Sequence, residues 1–191
     1  GEIAVTEQAI FYERRATRSH ERIDGASLTL PQTSFATEAV WLVPGPERLE
    51  GIDEMPGLLG ALHAAEHALI AMLPLWTMCD RWDIGGVSTV LHPDTGQLTV
   101  FVRDGHPGGA GFAERGFTAA HAWLSATREA IDACSCSEGC PSCVQSPKCG
   151  NQNRGVRMTS SLQKFIPIDG PSERARKTTE GIRLITGMSQ K

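Results

Sequence analysis

The sequence predicts an α+β fold, in which a small and mostly antiparallel sheet carries two main helices and a cysteine zinc knuckle. Segments rich in β-forming residues near the N-terminus and an alternating hairpin further along predict the strands. Two long stretches with apolar residues at helical spacing predict the helices. Five of the six cysteines of the chain fall between Cys134 and Cys149, which predicts a bound metal ion.

The composition is that of an ordinary globular protein. The 191 residues are 40% hydrophobic and carry a net charge of -4, which is compatible with one domain that buries its own core. No secretory leader is recognised, so we expect a cytoplasmic protein with reduced thiols and no membrane partner. The opening Gly1 lacks a preceding Met and enters a β pattern directly, so we expect a piece of a longer polypeptide.

The charge is unevenly distributed along the chain. Residues 151–191 hold eight Lys or Arg and three acids, whereas residues 1–150 hold ten basic and nineteen acidic residues. A strongly basic nucleic-acid-binding domain is therefore not indicated, and any DNA contact is expected to be local.

Residues 1–55 form a β-rich N-terminal section. Strands are predicted over residues 3–12, 28–30 and 35–43. Between the first two strands, Arg14, Arg15 and Arg18 lie in a polar hairpin tip and are candidates for contacting a DNA backbone. Glu13 and Glu21 flank this cluster, so a solvated loop is the competing interpretation.

Residues 56–153 are predicted to form the core of the domain, which consists of two helices with a β-hairpin between them. A helix begins near residue 57, and Pro74 must end or kink it. Strands 86–91 and 97–103 form the hairpin, and a second helix covers residues 112–133. The glycine-rich loop at 104–112 follows a strand and opens a helix, which is typical of phosphate binding, but it has neither a Walker A Lys nor a G-x-G-x-x-G pattern. A tight turn against the central helix is the favoured interpretation.

The cysteines follow the spacing C-x-C-x3-C-x2-C-x5-C. Cys140 and Cys143 form a C-x2-C pair that can direct two thiolates to one Zn²⁺ ion, and a four-thiolate site would be structural. Five cysteines compete for four positions. Cys136 is the next ligand, and Cys134 and Cys149 contest the fourth position. Disulfides are the alternative, disfavoured because no signal peptide is recognised.

The first predicted helix also carries His63, Glu66 and His67. His-x-x-Glu-His is the inverted zinc-protease signature, with two histidine ligands and a glutamate base. A zinc metallopeptidase is therefore an alternative function, and it needs a third ligand. The acids considered for that position are Asp80, Asp83 and Asp104. Hydrogen bonding within the core is the simpler interpretation of the two histidines.

The cysteine region continues as Cys-Pro-Ser-Cys-Val-Gln-Ser-Pro-Lys-Cys-Gly-Asn-Gln-Asn to residue 153. Together with the blocks at 62–68, 79–86 and 104–112, it resembles the C-terminal zinc-binding domain of MrfA/SftH-type superfamily 2 DNA helicases. The resemblance implies an accessory domain of an ATP-dependent DNA helicase or translocase in DNA repair, stabilising the motor or guiding single-stranded DNA. Its partners would be the helicase core domains of the same polypeptide, which would bind ATP and Mg²⁺.

By this resemblance the chain is a monomeric domain without catalytic residues of its own, and a protein-interaction module is a further alternative. Lys148 and Arg154 join the hairpin arginines as candidate DNA contacts. The resemblance ends after Asn153. We expect residues 154–191 to form a mostly irregular basic tail, with one short helix from Ser172.

Overall fold

The computed structural model describes residues 1–50, 55–150, 152–156, 162–166 and 182–190. The strands are β1 (Glu2–Arg15), β2 (Arg22–Ser27), β3 (Thr33–Leu42), β4 (Ile84–Thr89), β5 (Thr99–Asp104) and β6 (Ile182–Gln190). The α-helices are α1 (Met55–Met72), α2 (Pro74–Thr77), α3 (Phe112–Thr118) and α4 (Ala120–Asp132). Short 3-10 helices cover Pro46–Arg48, Arg81–Asp83 and Leu162–Phe165.

The strands form one sheet in the order β2-β1-β3-β5-β4, in which every neighbouring pair is antiparallel. β6 lies outside this series and pairs in parallel with β1. The predicted α+β class, with a mostly antiparallel sheet, two main helices and a cysteine cluster, is thereby confirmed.

Strand β5 is buried on both faces. All of its residues are buried, and its three central apolar residues alternate between two apolar clusters, as the period of two requires. Val100 and Val102 join the larger cluster, which includes buried residues of α1 and α4. Phe101 joins a smaller cluster with Ile3 and Val5 of β1. The sheet therefore holds the helices on one face and a second apolar cluster on the other.

The N-terminal hairpin differs from the prediction. β1 continues to Arg15 and β2 begins at Arg22, so the connecting loop spans only residues 16–21 and residues 28–30 are not a strand. The register places Arg14 opposite Asp24. This cross-strand pair of opposite charges suits a strand, although the polar composition favours a loop.

The C-terminal residues also differ from the expected irregular tail. Residues 182–190 form a strand whose Ile182 pairs with Ile3. The partner lies almost the whole chain away, so local periodicity carries little information about this pairing. The predicted short helix from Ser172 lies outside the described residues.

Helix α1 is the central helix of the domain. Ala61, Leu62 and Leu69 are at most 1% exposed, and Nε1–H of Trp123 donates a hydrogen bond to the carbonyl of Leu69 at 3.0 Å. Within the described residues, the segment 56–77 is long and apolar enough to span a membrane by length and composition, but 61% of its apolar 18-residue window is buried inside the fold. Burial of this kind is typical of a core helix.

Both predicted helices are interrupted. Pro74 begins α2 at a position where its missing N–H costs nothing, and Met78 ends that helix in the left-handed region with φ 53°. The second predicted helix breaks at Ala119 into α3 and α4. Trp123 and Ile131 of helix α4 are buried, and Cys134 follows shortly after the helix ends.

Candidate metal centres

Four cysteine sulfurs converge just after α4. The Sγ–Sγ distances are 3.4 Å for Cys134 and Cys136, 3.6 Å for Cys134 and Cys140, 3.5 Å for Cys136 and Cys143, and 3.7 Å for Cys140 and Cys143. Zn–S bonds of about 2.3 Å in a tetrahedron separate the sulfurs by about 3.8 Å. The four side chains therefore fit a tetrahedral zinc shell.

The Cys140–Cys143 turn is stabilised by its own backbone. The N–H groups of Cys143, Val144 and Gln145 point to the carbonyl of Cys140 at 3.0 to 3.1 Å. The N–H of Cys140 donates to Sγ of Cys143 at 3.2 Å. Gly139 enters the turn with φ 93°, a conformation that side chains disfavour. This local geometry directs both sulfurs to one side.

The thiols of this turn have different proton affinities. A backbone hydrogen bond from Ser142 is the main cause that lowers the pKa of Cys140 to about 7, whereas burial raises the pKa of Cys143 to about 12. A cation bound between the sulfurs would favour the thiolate form of both.

Cys149 lies in a different group. Its Sγ is 3.6 Å from Nε2 of His63, and Cys149, His63 and His67 each offer a ligand atom within 4.8 Å of the other two. Cys149 and His67 are buried, and His63 is half-buried. The fold thus brings together three residues that belong to two separate motifs in the sequence, the His-x-x-Glu-His motif and the cysteine cluster.

The two histidines lie one turn apart on α1, with ring centroids 4.3 Å apart. Nδ1 of His67 is 2.8 Å from the carbonyl oxygen of Val144. A carbonyl can only accept, so Nδ1 carries the proton and Nε2 keeps its lone pair. Burial lowers the pKa of both histidines, and that of His67 falls to about 4. Both rings are therefore neutral near pH 7.

A cleft of about 780 Å³ borders this group. Its lining includes His63, Glu66 and His67 from α1 and Ser88 from β4. The Ser88 hydroxyl donates to the Glu66 carboxylate at 2.6 Å, and burial raises the pKa of Glu66 to about 7. A carboxyl group with a raised pKa thus lies beside the histidines.

The acids considered as the third ligand of the histidines make other contacts. Asp80 and Asp83 accept backbone hydrogen bonds around the 3-10 helix at 81–83, at 2.8 and 2.9 Å. Asp104 binds the glycine-rich loop. Among the described residues, Cys149 is the side chain that joins the histidine pair.

The glycine-rich loop binds a carboxylate of the chain itself. Asp104 accepts hydrogen bonds from the N–H groups of Ala110 at 2.6 Å, Phe112 at 3.2 Å and Ala113 at 2.7 Å. Gly109, with φ 77°, passes close to Glu38. The anion-binding N–H groups at the start of α3 are therefore occupied by Asp104. The loop is a tight turn, and it approaches β3 at Gly109.

The three candidate arginines of the hairpin lie near its tip. Arg14 forms an ion pair with Asp24, and Arg15 forms one with Glu13. Arg18 lies in the connecting turn and is exposed. Arg14 is also exposed, whereas Arg15 is half-buried.

Lys148 and Arg154 occupy different environments. The Lys148 ammonium donates to the carbonyls of Arg81 at 3.0 Å, Trp82 at 3.3 Å and Ile84 at 2.5 Å. These bonds use its three N–H groups. The sequence contains no signal of this role, since the acceptors lie more than 60 residues away in the chain. Arg154 is exposed and lines the cleft.

Comparison with known proteins supplies the family context. A family model described as the MrfA Zn-binding domain matches residues 65–144. The uncharacterized ATP-dependent helicase YprA of Bacillus subtilis is 30% identical over 173 residues, which are 87% of this chain and 21% of that protein. The uncharacterized protein MJ1572.1 of Methanocaldococcus jannaschii is 37% identical over 97 residues, which are 48% of this chain and 85% of that protein.

Two solved structures share the fold. The crystal structure of the DUF1998 helicase MrfA bound to DNA has a TM-score of 0.57 at 25% identity, covering 80% of this chain and 19% of MrfA. The complex of MrfA with DNA and AMPPNP has a TM-score of 0.51 at 28% identity, and the match covers 75% of this chain and 18% of MrfA. The chain therefore spans about a fifth of the length of these helicases.

Proposed function

Because this chain belongs to the family of MrfA Zn-binding domains, we propose that it is the zinc-stabilised accessory domain of an ATP-dependent DNA helicase or translocase acting in DNA repair. In this proposal the domain stabilises the motor or guides single-stranded DNA. ATP and Mg²⁺ bind to the helicase core domains of the same cytoplasmic, monomeric polypeptide.

The observation that carries this proposal is the tetracysteine cluster and its attachment to the core. We assign Cys134, Cys136, Cys140 and Cys143 as the zinc ligands, on the basis of their Sγ–Sγ distances. Bound Zn²⁺ supplies a closed four-thiolate cross-link and no reactive position. Val144, which follows the last ligand, is fully buried. Zinc therefore links the end of α4 to residues packed in the core.

The proposed DNA contact rests on a small number of exposed cations. Two crystal structures of MrfA contain DNA, which supports DNA as the partner here. The hairpin holds Glu13, Glu21 and Asp24 beside its four arginines, so its net charge is low. We therefore propose Arg18 as a contact to the phosphate backbone, with Arg14, Arg15 and Arg154 as further candidates.

The structure does not favour the metallopeptidase alternative. The fold brings a thiol to His63 and His67, whereas Asp80, Asp83 and Asp104 bind backbone N–H groups elsewhere. We therefore do not retain the His63, Glu66 and His67 motif as a peptidase site.

The experiment that tests the proposed function uses the full-length protein. Cys140→Ser and Cys143→Ser together should remove one zinc ion per chain and reduce DNA-stimulated ATP hydrolysis and strand separation. Cys79→Ser is the control, because Cys79 lies outside both ligand groups. Unchanged zinc content, or zinc loss with full DNA-stimulated activity, would contradict the proposal.

A further inference from the structure

We propose that His63, His67 and Cys149 form a second metal site, separate from the tetracysteine cluster. It would take a divalent transition ion that prefers imidazole and thiolate ligands, such as Zn²⁺, with three protein ligands and one open position. The inference rests on this chain's own geometry and does not depend on the helicase assignment.

The distances fit a metal ion. Tetrahedral geometry with a Zn–S bond of about 2.3 Å and a Zn–N bond of about 2.05 Å separates sulfur and nitrogen by about 3.6 Å. The observed separation between Sγ of Cys149 and Nε2 of His63 is 3.6 Å. His67 lies one helical turn from His63, so both rings can reach an ion on the same face of α1.

Backbone groups hold two of the ligands in position. The carbonyl of Val144 orients the His67 ring through Nδ1 and leaves Nε2 for a metal. The N–H of Asn153 donates to Sγ of Cys149 at 3.2 Å, as backbone donors do for thiolates. Partners of this kind around the ligands are a regular feature of metal sites.

The loop that carries Cys149 is closed by side-chain hydrogen bonds. The Asn153 carboxamide accepts from the N–H of Ser146 at 2.8 Å and donates to its carbonyl at 3.1 Å. Gln152 and Asn153 both adopt the left-handed conformation, with φ 60° and 61°. This closed loop presents the Cys149 sulfur to α1 in a defined position.

The fourth position of the ion would face the cleft. Both imidazoles line that cleft, so a ligand completing the tetrahedron would approach from it. The Glu66 carboxylate lies there but is bound by the Ser88 hydroxyl. Water, or an anionic oxygen from a molecule in the cleft, is the chemistry expected at the open position.

The first test is the metal content of the 191-residue chain purified under reducing conditions. We expect two zinc ions per chain, and one ion in Cys149→Ser and in His63→Ala. Cys79→Ser is the matched control and should keep two. One ion in the wild type, unchanged in Cys149→Ser, would overturn the second site.

A second test needs no variant and so does not depend on the folding of a mutant. Zinc X-ray absorption of the wild-type chain should report five sulfur and two imidazole ligands shared between two ions. A shell of four sulfurs without imidazole would overturn the proposal. Failure here leaves the tetracysteine site intact, so it is distinguishable from failure of the proposed function.

Discussion

The carbonyl oxygen of Val144 lies 2.8 Å from Nδ1 of His67, which joins the residue after the Cys140–Cys143 turn to the central helix. Val144 is fully buried, and its N–H is turned toward the carbonyl of Cys140. Its backbone therefore contacts the tetracysteine turn on one side and the histidine group on the other. Any change that releases the turn should also alter the position of the His67 ring.

The tetracysteine site should determine much of the thermal stability. We expect Cys143→Ser to remove one zinc ion and to lower the Tm by at least about 10 °C, because a structural zinc site contributes folding energy directly. Thermal unfolding followed by circular dichroism, with zinc analysis of the same samples, checks this. Cys79→Ser should change neither quantity. A Cys143→Ser protein with wild-type Tm would exclude a structural metal here.

The packing at Gly86 should not tolerate a side chain. A Cβ atom there would lie 2.7 Å from Cδ1 of Ile70 and 2.9 Å from the carbonyl oxygen of Phe101. We expect Gly86→Ala to destabilise the fold by about 1 to 3 kcal/mol, the usual cost of overpacking. Urea denaturation measures the change in the free energy of unfolding.

Gly57 supplies the control for this substitution. It lies on α1, and a Cβ atom there would meet nothing within 4 Å. Gly57→Ala should be neutral or stabilising by up to about 1 kcal/mol, because alanine favours a helix. Equal effects at both positions would show that packing at Gly86 is not the cause.

The glycine-rich loop should depend on Asp104. Asp104→Ala would leave the N–H groups of Ala110, Phe112 and Ala113 without their acceptor. Asp104 is fully buried, so we expect a loss of more than about 3 kcal/mol of stability. Denaturant unfolding gives the value, and hydrogen exchange at the start of α3 locates the effect. Asp24→Ala is the control and should leave stability nearly unchanged, because the Asp24 carboxylate is 41% exposed and pairs with Arg14 at the surface.

Substitutions at Lys148 and Arg18 should distinguish a cation that stabilises the fold from one that binds DNA. Lys148→Met keeps the aliphatic stem and removes three hydrogen bonds to carbonyls, so we expect about 2 to 4 kcal/mol of destabilisation. Arg18→Ala, at an exposed turn, should leave stability unchanged and weaken binding to single-stranded DNA. Fluorescence anisotropy at two salt concentrations measures that binding. Weaker DNA binding by stable Lys148→Met, with Arg18→Ala unaffected, would reverse these assignments.

The sequence predicts the elements of this domain better than their extent. The two helices, the second hairpin and the cysteine cluster follow from periodicity and spacing, which are local properties. The start of β2 is mispredicted because charged residues between two strands favour a loop unless their cross-strand partners are known. The strand at 182–190 depends on pairing with β1, which no local pattern records.

The candidate sites also differ in how well the sequence predicts them. The spacing of Cys140 and Cys143 identifies a metal turn without any structure, because two ligands separated by two residues reach one ion locally. The place of Cys149 is different. Its distance from Cys143 in the sequence is compatible with either group, and only the closed loop between Ser146 and Asn153 turns its sulfur toward α1.

The sequence by itself determined the fold class, the family resemblance and the presence of a cysteine metal centre, since each depends on composition or on spacing within a few turns of chain. The tertiary structure decided which residues share a site. In the folded chain Cys149 lies beside His63 and His67. The Lys148 ammonium donates hydrogen bonds to three carbonyls, and the Asp104 carboxylate accepts hydrogen bonds from the N–H groups of the glycine-rich loop. Those outcomes depend on contacts between distant segments, which form only when the sheet and helices pack.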